Sequence, residues 1–415
     1  MKFSQNKLVL TLLITVVARC SGIAQPILET GSQKPMPDVW IDKDTHHRIE
    51  RLSDKNVNSA SFYFHNNPFI KQNGNEGDRM VFYANDQYKS DGAGKQICTV
   101  NLKTHEIVQL TKSPSSKGGE ILGTKSHNIY YQIKDSVFRV NADTKKEELI
   151  FVFPADFKAG ITTLNADETL LAGAWSSDKE KDIFKQNPNK SDYFNKIYEA
   201  KLPRTLFTIN VKTKELTKVF TDTAWLNHVQ FSTTDPALLM FCHEGPWHKV
   251  DRIWTIDLTT KNIRLMHKRT VNMEIAGHEW FAPDGKTIWF DLQMPRSENF
   301  YVGGVDVKTL EEKKYKLTRD EWSVHFTSSP NGKLFAGDGG DAGQVAKAKD
   351  GMWIYLFTPD GDKFTSQKLV NMKHHYYKFE PNVHFSPDGK QIIFRANFEG
   401  KEGIYAVDIA EASQK

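Results

Sequence analysis

An all-β fold, a seven-bladed β-propeller closed into a ring by an N-terminal strand, is what this 415-residue sequence predicts. Three observations predict it. A turn-plus-strand unit recurs along the chain, a strand–turn–strand unit follows each copy, and the two chain ends read as parts of one blade. The first unit is clearest in FSTTDPALLMF at Phe231, FAPDGKTIWF at Phe281, SSPNGKLFAG at Ser328 and FSPDGKQIIF at Phe385. Weaker copies are LNADETLLAG at Leu164, KSHNIYYQI at Lys125 and NEGDRMVFY at Asn75, which makes seven. Their Pro-Asp-Gly or Pro-Asn-Gly centres are tight hairpin turns, and the β-branched and aromatic residues that follow are strand formers.

The second unit reads ICTVNLKTHEIVQLT from Ile97, LFTINVKTKELTKVF from Leu206 and IWTIDLTTKNIRLMH from Ile253. Its turn positions Asn210, Asp257, Asp306 and Asp408 fall at intervals of 47, 49 and 102 residues, and the last interval holds the extra copy WIYLFTPDGDKF. A four-stranded unit repeating every ~40–50 residues is a propeller blade. The final copy, IYAVDIAEA, has its turn but no outer strand, while THHRIERLS at Thr45–Ser53 matches the outer-strand segment THEIVQLT. Joining the two closes the ring and leaves only short edges. Residues 25–415 therefore read as a single propeller domain. The interval from Asn141 to Asn210 is 69 residues, and the excess lies in the Lys/Asp/Asn-rich stretch Ser176–Arg204. That stretch reads as a loop with a short helix over one face; a plain surface insertion and a substrate lid both fit.

Hydrophobic, charged and aromatic fractions of 39%, 26% and 12% exclude wholesale disorder and a polytopic membrane protein. Residues 1–24 read as a secretory signal peptide: Lys2 and Lys7 precede the apolar run Leu8 to Ala18, and Gly22 and Ala24 suit a cleavage site. The run is too short to span a membrane. Cys20 raises a lipoprotein anchor, but Arg19 before it is a poor residue for one. Without Lys2, Lys7 and Arg19, 52 basic side chains face 51 acidic ones, so a nucleic-acid binder is not indicated. Cys98 and Cys242 remain, too few for a disulfide scaffold. Export with two free thiols in buried strands points to a bacterial periplasm or cell surface.

Inner strands of a propeller line its channel. Three residues before Phe231, Phe281, Ser328 and Phe385 stand His228, His278, His325 and Asn382, an imidazole or amide in register in four blades. Glu380, Asn382 and His384 alternate on one strand face. Such polar residues can simply hydrogen-bond around a wet channel, but three of only 14 histidines in register is a poor match to that explanation. Histidines with a carboxylate and an amide suit a divalent metal such as Mn²⁺ or Zn²⁺. The densest polar segment is CHEGPWHKVDRIW, Cys242–Trp254. His243 and His248 flank Gly245-Pro246 there, so they cannot share the helical face of a zinc protease. Arg252 could grip a carboxylate bidentately, or pair with Asp251 or Glu244 at the blade rim. The loop QMPRSENFY, with Arg296 and Tyr301, and the glycine-rich GDGGDAG at Gly337–Gly343 belong at the channel mouth. His243, His248, Arg296 and Tyr301 are candidate substrate contacts, and His243 is also a competing base. No G-x-S-x-G serine hydrolase motif or nucleotide-binding loop is present.

HVQFSTTDPALLMFCHEGPWHKVDRIW, AGHEWFAPDGKTIWFD, and RDEWSVHF followed by GDGGD resemble the oligogalacturonate lyases, seven-bladed propellers of pectin breakdown that act on short galacturonate chains. The likeness is good from Leu206 to Arg395 and rests on the repeat pattern before that. The resemblance implies His278 as the base, Arg252 assisting, and Mn²⁺ held by His and Gln side chains with His325 as one ligand. The last blade departs from the family pattern of paired histidines: it has Glu380 and Asn382, with His384 one alternation further on, and the family's Gln is replaced near Tyr377. His325, Glu380, Asn382 and His384 are the candidate ligands, and the departure leaves another uronate open as substrate.

The implied reaction is a metal-assisted β-elimination that removes the C5 proton of a uronate and expels the 4-linked sugar, giving a 4,5-unsaturated product. The implied substrate is a uronate oligosaccharide. A non-catalytic TolB-like propeller that binds glycan or protein would share the turns and the leader, but would leave the aligned histidines and the HEGPW loop unexplained.

Overall fold

The computed structural model describes residues 25–72, 76–85, 94–341, 343–344 and 352–412; the leader 1–24 and Ala342 of the glycine-rich loop lie outside them. Antiparallel four-stranded units follow one another around a ring. Their inner strands are Asn58–Ala60 with Phe69–Ile70 (blade 1), Gly118–Gly123 (blade 2) and Gly160–Leu164 (blade 3), then Trp225–Phe231 (blade 4), Ile275–Phe281 (blade 5), Phe326–Ser328 (blade 6) and His384–Phe385 (blade 7). One parallel bridge, Lys316 to Lys363, joins the outer strands of blades 5 and 6.

The repeated turn between third and fourth strands has a local cause. The Asn or Asp side chain accepts the N–H groups two and three residues on: Asp257 Oδ1 from Thr259 and Thr260, Asp306 Oδ1 from Lys308 and Thr309, each at 2.8 Å. Asn210 does the same for Lys212 and Thr213 at 2.9 Å. A side chain that mimics the next peptide turns the chain without help from tertiary packing. Asp408 is the exception to the turn pattern. Gly403–Glu411 runs straight through it as one strand, because its partner comes from the other end of the chain.

That partner is His47–Arg51, which pairs antiparallel with Gly403–Glu411, Ile49 opposite Val407. Ile49 is fully buried among Trp40, Tyr405 and Val407, so closure buries core as well as pairing an edge. Val39–Asp42 and Ile27–Leu28 extend this sheet to six strands, an addition the sequence did not signal. Cys98 and Cys242 are both buried, and neither forms a disulfide among the described residues.

The insertion forms two helices where one was expected, α1 (Asp178–Gln186) and α2 (Lys190–Ala200). Arg204 anchors them, its Nε donating to buried Glu180 at 2.7 Å and its Nη1 to the Leu226 carbonyl at 2.8 Å. Phe194 packs on Trp225 at 5.2 Å. Tyr198 lies where a Cβ on Gly245 would come within 2.5 Å of it, so the hairpin leans on the 245–252 loop. Among the described residues no helix is long and apolar enough to cross a membrane.

Blade 1 departs from its neighbours in one further way. Ala60 pairs with Tyr83 and Phe69 with Met80, so eight residues of the inner strand, 61–68, loop out opposite only two, Val81 and Phe82, of the partner strand. The loop reaches across the channel. The Phe62 carbonyl accepts from His384 of blade 7 at 3.0 Å, and Phe64 N–H donates to Asn382 Oδ1 at 3.1 Å. The Phe64 ring stacks on His325 of blade 6 at 4.9 Å and meets Trp280 of blade 5 edge-on at 6.1 Å. Tyr63 N–H donates to Glu120 of blade 2. The loop plugs the channel.

Candidate active site

The channel histidines are aimed by their backbone. His228 and His278 have φ of 46° and 48°, and Asn382 has 51°. Each of the two histidines sits at a break in strand register, between Asn227 and Gln230 and between Gly277 and Trp280. A bulge of this kind re-aims a side chain, and a left-handed non-glycine residue costs about 1–3 kcal/mol. Equivalent positions of three blades carry that strain.

His278 is 14% exposed at its side chain. Its Nδ1 lies 3.3 Å from Asp291 Oδ1. The ring contacts Trp247 at 5.6 Å and His325 at 4.8 Å. Burial pulls its pKa down, but the Asp291 carboxylate outweighs burial and the net pKa is raised. His325 Nδ1 lies 2.8 Å from Asp338 Oδ2, and its Nε2 lies 3.1 Å from the Tyr63 hydroxyl and 3.8 Å from Glu380 Oε2. A carboxylate can only accept, so Nδ1 carries the proton and Nε2 the lone pair. His65, inside the plug, is held neutral: burial first, then His228, His325 and His384, pull its pKa to about 3.

Arg252 is not placed as a free clamp. Its side chain is 2% exposed. Nη1 donates to Glu244 at 2.7 Å, Nε donates to Glu279, and the guanidinium lies 5.1 Å from the Trp247 ring. Asp251, the other partner expected for it, binds Arg269 instead. A substrate carboxylate would have to displace Glu244 or Glu279 from a buried ion pair, which costs several kcal/mol. The geometry makes Arg252 the tie that holds both carboxylates and Trp247 in the wall beside His278. Glu244 also lies 3.4 Å from His228 Nε2.

Other expected site residues scatter. His243 alternates with channel-facing Glu244, so it points away and stacks on Trp254 at 4.7 Å; the structure does not bring it to His278. Tyr301 is on a third strand, its ring 5.0 Å from Lys314 Nζ, two strands removed from the channel. His248 and Arg296 sit on loops joining second and third strands. Burial first, then the charges of Lys249, Arg296 and Arg269, lowers the His248 pKa, which marks a cationic rim. Asn382 uses its amide on the backbone, accepting from Phe64 and donating to the Glu380 carbonyl at 2.9 Å. His384 is separated from the other three candidate ligands. Two residues along a strand advance ~6.6 Å, which carries it past the plug. There it lines a cavity of about 590 Å³, with Trp280, Phe281 and Phe385, that opens on the turn face.

Sequence reasoning missed Tyr63, Phe64 and His65 of the plug and the carboxylates Glu279, Asp291 and Asp338. Aligning second strands as the first were aligned puts Cys242, Asp291, Asp338 and Arg395 at one position, and that signal was available. Arg395 Nε donates to the Glu380 carbonyl at 2.5 Å.

A family model described as oligogalacturonate lyase matches residues 36–413. The chain belongs to the oligogalacturonate lyase family. It is 26% identical over 390 residues to the oligogalacturonate lyase of Dickeya dadantii (strain 3937), covering 90% of this chain and 96% of that one. It is 25% identical over 403 residues to the oligogalacturonide lyase of Pectobacterium atrosepticum, covering 92% and 98%. The solved oligogalacturonate lyase of Vibrio parahaemolyticus superposes with a TM-score of 0.75 at 24% identity, over 90% and 96% of the two chains. A solved oligogalacturonate lyase in complex with manganese gives 0.74 at 24% identity, over 91% and 97%. Both structures share the fold. Membership makes this chain an enzyme, a lyase acting on pectin oligosaccharides.

Proposed function

We propose that this lyase is exported and cleaves short uronate oligosaccharides by β-elimination with His278 as base, assisted by a divalent metal such as Mn²⁺. The observation that carries the reading is the His278 ring, set in the channel on a strained backbone with Nδ1 turned to Asp291. That leaves Nε2, on the far side of the ring, to take the C5 proton of a bound uronate. The C–H electrons form the C4–C5 double bond, the C4–O4 bond breaks, and the leaving oxygen takes a proton from solvent. A neutral imidazole is the form that accepts a proton, and a pKa near neutrality suits the task. Trp247 and Phe64 wall the ring and keep bulk water off it. Arg296 and Lys249 supply positive charge at the rim for the acidic chain, and the neutral His248 beside them can hydrogen-bond it.

The donor set fits a divalent cation at two residues. His325 presents the Nε2 lone pair with Asp338 fixing the tautomer, the arrangement usual for a metal-bound imidazole. The half-exposed Glu380 carboxylate faces the same nitrogen. Tyr63 hydroxyl is the contact such a cation would displace. Asn382 and His384, committed to the backbone, serve as supports. When bound, a divalent cation neutralises the uronate carboxylate and so stabilises the carbanion formed beside it.

The leader supports export to the periplasm or cell surface. The test of function is ultraviolet absorbance of the conjugated double bond when full-length mature protein meets oligogalacturonates and Mn²⁺, with product masses from a panel of uronate oligomers. EDTA should abolish the signal and Mn²⁺ restore it. No unsaturated product from any uronate would sink the proposal.

A further inference from the structure

Asp291 lies on the second strand of blade 5, opposite Gly277. Its side chain is 1% exposed. Asp291 Oδ1 and His278 Nδ1 are both buried, 3.3 Å apart, and neither has another hydrogen-bond partner among the described residues. Leaving a buried polar atom unpaired costs about 1–3 kcal/mol, so two facing orphans are stable together only as a pair. The backbone is shaped for this approach. A Cβ at Gly277 would fall 2.9 Å from Asp291 Oδ1 and 3.0 Å from Trp247, so only glycine leaves room.

The neighbouring blade repeats the device. Asp338 occupies the position of Asp291 and holds His325 Nδ1 at 2.8 Å, while also accepting His325 N–H at 2.8 Å. In blade 4 the same position is Cys242, and His228 turns to Glu244 two residues on. A carboxylate behind the imidazole is therefore a feature of blades 5 and 6 and absent from blade 4. We propose that Asp291 is the positioning residue of the reaction: it holds the proton on His278 Nδ1 and so fixes the ring with its Nε2 lone pair toward the substrate.

This rests on His278 being the base, and the experiment separates the two claims. Full-length enzyme with Mn²⁺ and oligogalacturonate is compared with Asp291→Asn, whose shape is retained but whose amide can donate to Nδ1 and stabilise the opposite tautomer. Turnover should fall ~10²-fold or more with KM within a factor of ~3, because orientation of the base and not substrate affinity is lost. Asp291→Glu, which keeps an acceptor, should recover part of that loss. Independently of any variant, the ¹⁵N shifts of neutral His278 in the wild-type protein should report the Nδ1-protonated tautomer. Near wild-type turnover in Asp291→Asn, a rise in KM alone, or an Nε2-protonated ring in wild type would each overturn the inference. A wild-type enzyme that makes no unsaturated product would refute the base reading, while the ¹⁵N tautomer would still decide what Asp291 holds.

Discussion

His267 offers a test of how the strand that carries His278 is supported from a distance. It follows the outer strand of blade 4, 3% exposed, between two carboxylates of blade 5: Nε2 to Glu274 Oε1 and Nδ1 to Glu312 Oε1, both 2.9 Å. Glu274 also accepts from Thr270 N at 2.7 Å and Val271 N at 3.0 Å, which fixes the loop entering the His278 strand. Burial pulls the His267 pKa down, but the two carboxylates outweigh it and raise it from 6.5 to about 9. A raised folded pKa means stability that is complete below the unfolded value and lost as pH climbs through the folded one. The shift corresponds to about 3 kcal/mol, present at pH 6 and gone above pH 9. His267→Gln removes the cation but leaves Glu274 its backbone donors, so the loss at neutral pH should be near that figure. Urea unfolding midpoints measured in steps from pH 6 to pH 10 read it directly. Wild type should weaken steadily from about pH 6.5 to pH 9 and the variant should stay flat. Parallel curves would show that the His267 cation carries no net stability.

The site and the ring make three further predictions. His278→Ala should lower turnover by ~10²–10⁴-fold with far-UV dichroism near wild type, and should lower the melting temperature because Asp291 is left buried without its partner. Glu380→Gln should weaken Mn²⁺ binding, read by titration calorimetry without substrate, and an unchanged affinity would remove Glu380 from the ligand set. Ile49→Ala deletes a fully buried side chain from the closing strand and should cost about 2–5 kcal/mol in denaturant unfolding. A cost under about 1 kcal/mol would mean the closing strand adds little to the ring.

Much of the fold was legible because its turns are local chemistry. The side chains of Asn210, Asp257 and Asp306 make their own turns, and that pattern can be counted without a structure. Ring closure could be read because two incomplete ends matched one complete blade. The same counting misplaced Asp408: a turn residue specifies a turn only where the chain must reverse, and there the partner strand arrives from residue 47. The histidine register was visible because inner strands end at recognisable turns. Their carboxylates were not, since a pairing between adjacent strands needs both strands aligned. Arg252 could be read as a clamp or as an ion pair with Asp251 or Glu244; the structure pairs it with Glu244, buried, and adds Glu279, which the sequence did not signal. The plug was hidden because SFYFHNNPFI has the composition of an ordinary aromatic strand, and only Asn66, Asn67 and Pro68 mark the departure.

That plug closes the pore, with the cavity of about 590 Å³ on its turn-face side. A polymer cannot thread past Phe62, Tyr63 and Phe64, so a sugar chain can approach His278 from only one side of the plug. The turn-face cavity, walled by Trp280, Phe281 and Phe385, lies across the plug from His278. What enters there can affect the chemistry only by moving the plug itself, through the Phe62 carbonyl held by His384 and the Phe64 amide held by Asn382.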